Sequence, residues 1–143
     1  MKKTYLVLAF LITGFLLVGD AYGEDEVYYC AEIDGNGFNY KKKSGLYERT
    51  GIKSKKFKLK LDEASKSIEL VFADEGRDIY DCTSPLATIA KPELLSCVVR
   101  FYHFNFNTNN GRFVFSRGFG YMSDDTSPGH DSVYTSYGTC DKF

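Results

Sequence analysis

Lys56-Phe57-Lys58-Leu59-Lys60-Leu61 is the stretch that decides the fold. Phe57, Leu59 and Leu61 alternate strictly with three lysines. Successive side chains of a strand point to opposite faces, so a strand buries the three apolar groups on one side and leaves the lysines in water. Asp62-Glu63-Ala64-Ser65 then turns the chain, and Ser67 to Phe72 returns as a partner strand. Asp74-Glu75-Gly76-Arg77-Asp78 turns it again into a strand over Ile79 to Thr83.

Outward from this hairpin the same reading continues. Toward the N-terminus, Val27 to Ile33 is a strand. Asp34-Gly35-Asn36-Gly37 predicts a turn, because Gly and Asn accept positive φ. Phe38 to Lys43 is a weaker strand, and polar Ser44 to Lys53 is a loop or an irregular hairpin. Toward the C-terminus, residues 84–93 are the one place for a short helix, with Ser84 as cap, Pro85 in the first position and Pro92 as its end. Leu94 to Asn107 predicts one long strand or two. Its apolar residues switch parity between Leu95, Cys97, Val99, Phe101 and Tyr102, Phe104, Phe106, which is the mark of a bulge. Asn109-Asn110-Gly111 is a hairpin turn into Arg112 to Met122, where Gly118 and Gly120 imply a bend. Ser123 to Asp131 is a polar loop, and Ser132 to Cys140 is the last strand. About eight strands joined mainly by hairpins predict an all-β domain. The expected form is a small antiparallel up-and-down barrel of the lipocalin-like kind, with a β-sandwich as the alternative.

The first 23 residues have the layout of a secretory signal peptide. Lys2 and Lys3 precede an apolar run from Tyr5 to Val18, and Ala21-Tyr22-Gly23 places small residues around a cleavage site after Gly23. The run is shorter than the 20 or so residues that a spanning helix needs. The expected product is one domain over 24–143, periplasmic or secreted, monomeric and without a stable membrane insertion. Loss of Lys2, Lys3 and Asp20 takes the formal charge from −1 to −2. Such a balance points to neither nucleic acid nor an anionic membrane as partner. Four cysteines in an exported chain of this size predict two disulfides, with three pairings open. Cys30–Cys140 would clasp the terminal strands, and Cys82–Cys97 would staple the loop that contains Pro85 and Pro92; this pairing is the favoured one.

The C-terminal stretch carries a resemblance. Phe104-Asn105-Phe106-Asn107, Asn110-Gly111-Arg112-Phe113, Gly120-Tyr121 and Ser136-Tyr137-Gly138-Thr139-Cys140-Asp141-Lys142-Phe143, with Tyr28-Tyr29-Cys30 early on, resemble a group of small exported bacterial proteins that end in Gly-Thr-Cys-x-x-Phe. The resemblance implies export, disulfides and a bacterial periplasm, and no activity. Ser44-Gly45-Leu46-Tyr47 is also similar to the loop that periplasmic inhibitors of c-type lysozyme present, although it lacks that loop's basic residue and is one residue shorter to the tyrosine. This second resemblance implies an enzyme inhibitor built on a compact barrel.

Candidate chemistry is sparse. Nucleophilic catalysis needs a nucleophile and a base in reach. Only His103 and His130 serve as near-neutral bases, and neither has a matched nucleophile, so no enzyme is expected; a hydrolase using one of them is the rival reading. No cofactor or metal is expected. Asp124, Asp125, Ser127 and Asp131 offer oxygens without the spacing of an EF-hand loop. Lys41, Lys42, Lys43, Lys53, Lys55, Lys56, Lys58 and Lys60 form a candidate patch for an anionic partner. The blander reading of these lysines is protection of an edge strand, or neutralisation by the acidic stretch that follows. Phe101, Phe104, Phe106, Phe113, Phe115 and Tyr121 either fill the interior or line an apolar pocket. The functional expectation is a binding module for a protein partner or a small apolar or anionic molecule.

Overall fold

The computed structural model describes residues 25–73, 76–85, 91, 93–118, 121–122 and 132–143. These residues form nine strands: β1 (Glu26–Lys41), β2 (Leu46–Gly51), β3 (Lys56–Asp62), β4 (Ser67–Phe72), β5 (Gly76–Thr83), β6 (Leu94–Val99), β7 (Tyr102–Asn107), β8 (Arg112–Arg117) and β9 (Ser132–Lys142). From β3 to β9 each strand pairs antiparallel with the next. β9 then pairs back onto β1, and the first half of β1 pairs with β3. Eight strands thus close an antiparallel barrel, and the sandwich alternative falls away. β2 is an extra strand bonded to the second half of β1, between Asn36 and Lys41. The expected leader over 1–23 and most of the expected helix over 84–93 lie outside the described residues.

β3 behaves as its alternation demands. Phe57, Leu59 and Leu61 are buried, and the lysines between them point outward. Because β3 is paired on both sides, its lysines guard no open edge. Lys60 instead reaches Glu69 on β4 at 3.4 Å, the cross-hairpin neutralisation expected of the acidic stretch.

Three local expectations are corrected. Asp34-Gly35-Asn36-Gly37 is not a turn: β1 runs through it, with a register shift against β9 between Glu32 and Asp34. The glycines serve close approach instead. A Cβ on Gly37 would stand 2.3 Å from the Val133 carbonyl oxygen. The parity switch in Leu94 to Asn107 is a tight hairpin and not a bulge. Val99 pairs with Tyr102, and Arg100 takes a φ of 53° between them, the left-handed backbone that two-residue hairpin turns require. Polar Ser44 to Lys53 contains β2, so the hairpin is the correct alternative there. At the other end of the chain, β8 stops at Arg117, short of Met122.

Inside the barrel, rings interlock. Phe104 lies 5.2 Å from Phe113, 6.0 Å from Phe57 and 6.2 Å from Phe106, and Phe106 meets Tyr28 edge-on at 5.2 Å. Leu59, Ile68 and Leu70 complete the packing with no exposure. Both disulfides join facing residues on neighbouring strands: Cys30–Cys140 across β1 and β9, Cys82–Cys97 across β5 and β6. The terminal clasp and the short staple are thus the pairing favoured from the sequence.

Gly138 faces Phe113 across β8 and β9. A Cβ there would lie 2.1 Å from the Ala31 carbonyl oxygen and 2.6 Å from the Phe113 ring. Backbone cannot move aside as a side chain can. Gly138→Ala is therefore expected to cost about 3 kcal/mol, the upper end for overpacking, read as a lowered midpoint in urea. A midpoint unchanged from the parent would contradict the close approach.

The ends of β1 and β9 also share a charge pair. Lys142 donates to the Glu26 carboxylate, and the Tyr28 hydroxyl donates to it at 2.5 Å. The Lys142 ammonium and the Tyr28 hydroxyl hold the Glu26 carboxyl below its ordinary value. A depressed folded pKa gives stability that is present above the unfolded pKa and lost as pH falls through the folded one. Stability is thus expected to decline in acid, between about pH 5 and pH 3. Lys142→Met should flatten that decline; urea midpoints across the range that fall equally in both proteins would exclude the pair as its source.

Candidate binding site at the open end of the barrel

A smaller pocket of about 140 Å³, lined in part by Leu61, Cys82 and Leu95, lies toward the end where β1 begins. The mouth is at the other end, where β4 turns into β5 and β6 into β7. A cleft of about 440 Å³ occupies that mouth. Its walls come from Phe72 at the end of β4, Tyr102 at the start of β7 and Phe115 on β8. Phe115 stacks on Tyr102 at 5.9 Å with 11° between ring planes, lies 6.5 Å from Phe72, and meets Tyr134 edge-on at 5.7 Å. The result is one continuous aromatic wall.

Polar groups are set around it. The Arg117 guanidinium rests over the Tyr102 ring at 5.2 Å, and the Lys55 ammonium over the Phe72 ring at 5.6 Å. Asp78, Asn39 and Ser132 also line the cleft. Tyr80 is completely buried, yet it is among the residues that line the cleft. Burial first, and the nearby Asp78 charge second, push its hydroxyl well above the ordinary tyrosine range, so it stays protonated. Among the described residues, only three buried side-chain polar atoms lack a partner: Asn39 Oδ1, Tyr80 OH and Arg117 Nε. All three residues line this one cleft.

A buried carboxylate supports the rim. Glu32 is 8% exposed. It accepts from Ser136 Oγ at 2.6 Å and from the Lys55 backbone N–H at 2.8 Å, and its own N–H donates to the Lys55 carbonyl at 3.0 Å. The register shift beside Glu32 is followed by Gly35 and Gly37 on the buried side of β1, with Asn39 on the same parity. Glu32 thereby fixes the backbone from which Lys55 reaches the mouth.

The residues anticipated from sequence are distributed differently. Of the six aromatics, only Phe115 borders the cleft; Phe104, Phe106 and Phe113 are core. Phe101 sits in the β6–β7 turn, 44% exposed. Tyr121 is 68% exposed and packs edge-on against Tyr47 at 5.3 Å, outside the barrel. The eight lysines fall in three places. Lys41, Lys42 and Lys43 are at the β1–β2 turn, Lys53 and Lys55 in the β2–β3 connection, and Lys56, Lys58 and Lys60 on the outer face of β3. Lys55 alone of them lines the cleft.

Ser44 and Gly45 form the tip of the β1–β2 hairpin, where Ser44 Oγ donates to Glu48 at 2.8 Å. His103 is exposed on the outer wall opposite Ser116, with no hydrogen bond between them. His130, Asp124, Asp125, Ser127 and Asp131 lie outside the described residues, as does Phe119. Among the described residues, no group of three or more His, Cys, Asp or Glu is placed to hold a metal.

Asn39, Asp78, Tyr80, Tyr102, Arg117 and Tyr134 were not singled out by sequence. A signal for Tyr80 did exist: Cys82 must face inward to bridge, and period two puts Tyr80 beside it.

This chain matches no protein-family model, no curated protein and no solved structure. The geometry of the mouth therefore carries the functional argument.

Proposed function

We propose that this chain is an exported binding protein that takes a small molecule into the open end of its barrel. The observation that carries the reading is that Asn39 Oδ1, Tyr80 OH and Arg117 Nε, buried and unpartnered, belong to three residues lining one aromatic-walled cleft. Each such atom costs about 1–3 kcal/mol when left without a hydrogen bond. A barrel built for stability alone gains nothing from gathering three of them; a ligand that bonds to all three recovers the loss. The cleft volume falls within the range of ordinary small-molecule sites, about 300–1,000 Å³. Two disulfides fit an oxidising compartment, and the leader-like first 23 residues support a periplasmic or secreted location. The reading assigns no catalytic step; of the two candidate bases, His103 is exposed and is not among the described residues lining the cleft.

Tyr80→Phe gives the test. Without ligand the variant is expected to be as stable as the parent or more so, because it loses an unpaired hydroxyl and keeps the ring. Native mass spectrometry of parent protein taken from its host without denaturation should show a small-molecule adduct, weakened in the variant. Absence of any adduct, together with no thermal stabilisation by a broad metabolite panel, would overturn the binding reading. The alternative, an inhibitor acting through the Ser44-Gly45-Leu46-Tyr47 hairpin tip, instead requires that the purified protein suppress a c-type lysozyme and that Tyr80→Phe leave the suppression intact.

A further inference from the structure

We infer that β2 is an open sheet edge that takes an extended acidic segment of another protein as an added strand. The inference is independent of the cleft and goes beyond the small-molecule reading.

The edge comes first. Every other described strand has two neighbours or more, whereas β2 is paired with β1 alone. The ladder fixes which groups face the free side. The Ile52 N–H donates to the Gly35 carbonyl at 3.1 Å, and these two residues continue the β1–β2 register one step past Asn36 and Gly51. Antiparallel ladders alternate between pairs bonded to each other and pairs whose groups point away. Gly37–Thr50 and Asn39–Glu48 are therefore bonded pairs, and Arg49 and Gly51 turn their N–H groups away from β1. Leu46, Glu48, Arg49 and Gly51 are exposed.

Charge then selects the occupant. Residues 41–53 carry Lys41, Lys42, Lys43, Arg49 and Lys53 against one acid, Glu48. Lys60 on β3 reaches Glu69, but none of these five cations belongs to an ion pair among the described residues. Glu48 is engaged within the hairpin, where it accepts from Ser44 Oγ at 2.8 Å. Lys42 and Lys43 stand in the turn at one end of β2, Arg49 lies on it, and Lys53 follows its other end. A partner as long as the strand runs past all of them, so the charges need not converge on one point. Main-chain bonds supply the attachment, and the cations set the sign of the segment.

The same charges turn away a second copy. Pairing two β2 edges would bring five cations from each chain together, the repulsion by which lysines keep sheet edges from self-pairing. An acidic strand meets the opposite sign instead.

Fluorescence anisotropy of the full mature protein with the labelled peptide Glu-Thr-Val-Thr-Val-Thr-Val-Glu tests this, with a twin carrying Lys at both ends as comparison. The acidic peptide is expected to bind at least about tenfold tighter than its basic twin. Gly51→Pro removes an outward N–H while sparing the bonds to β1 and the charge. A Cβ at Gly51 meets nothing within 4 Å, so the ring has room. This variant should weaken the acidic peptide at least about tenfold. Lys42→Glu together with Lys43→Glu should do the same, and these exposed turn positions keep the test open if Gly51→Pro does not fold. No binding of the acidic peptide, equal binding of the basic twin, or binding unchanged in either folded variant would overturn the inference. Sedimentation showing a dimer of the protein alone, dissociated by Gly51→Pro, would overturn it in favour of a second copy.

Discussion

Replacing Cys30 and Cys140 together by alanine is expected to lower the unfolding free energy by about 4–5 kcal/mol, against about 3 kcal/mol for the Cys82 and Cys97 pair. The difference follows from the chain each bridge closes: 110 residues of separation in the first, 15 in the second. In the chain-entropy model the longer loop removes more freedom from the unfolded state. Position acts in the same direction. Cys30–Cys140 crosses β1 and β9, the pairing that joins the two ends of the strand order and turns a sheet into a ring, whereas Cys82–Cys97 joins strands already neighbours in the meander. Guanidinium unfolding of both double variants, followed by tyrosine fluorescence, measures the two losses. A smaller loss for the long bridge would contradict the account.

Phe104→Ala should remove about 3–5 kcal/mol, the usual range for truncating a buried phenylalanine. Phe104 has no exposure and touches the rings of Phe57, Phe106, Phe113 and Phe115. Those rings are held by four other strand positions, so they cannot collapse into the space, and the cavity term stays. The residue does not line the mouth, so ligand affinity in the surviving folded fraction should change little. Unfolding midpoints read with the intensity of the native small-molecule adduct separate the effects. A large loss of affinity at unchanged stability would place Phe104 at the site and contradict its role as packing.

What the sequence disclosed and what it withheld follow from the physics of strands. Alternation in Lys56–Leu61 was legible because one face is buried and the other wet. The barrel followed from hairpin succession, and the long-range disulfide from the location of Cys30 and Cys140. The second half of β1 was misread because glycine carries two meanings. Gly35 and Gly37 gave a turn signal, and in the barrel they create room for β9 instead. The hairpin at Arg100 and Phe101 was missed for the opposite reason, since neither residue is the Asn or Gly that marks such turns. Most of the site was not legible for a third reason. Asn39, Tyr80 and Arg117 come from β1, β5 and β8, and only closure of the ring brings them to one cleft. Even Ile79, exposed beside a buried Tyr80, inverts what hydrophobicity alone suggests.

Closure by β9 sets an order of assembly. β1 emerges first of the nine described strands, yet from Tyr28 to Asn39 one side waits for β9. A chain synthesised or translocated up to β8 holds a meander with two unpaired rims, the arrangement most prone to pairing with another copy. Contacts of such sequence separation also form slowly. The last eleven-residue strand is thus both latch and safeguard: a product truncated before Ser132 is expected to self-associate rather than persist as a stable, partly open monomer.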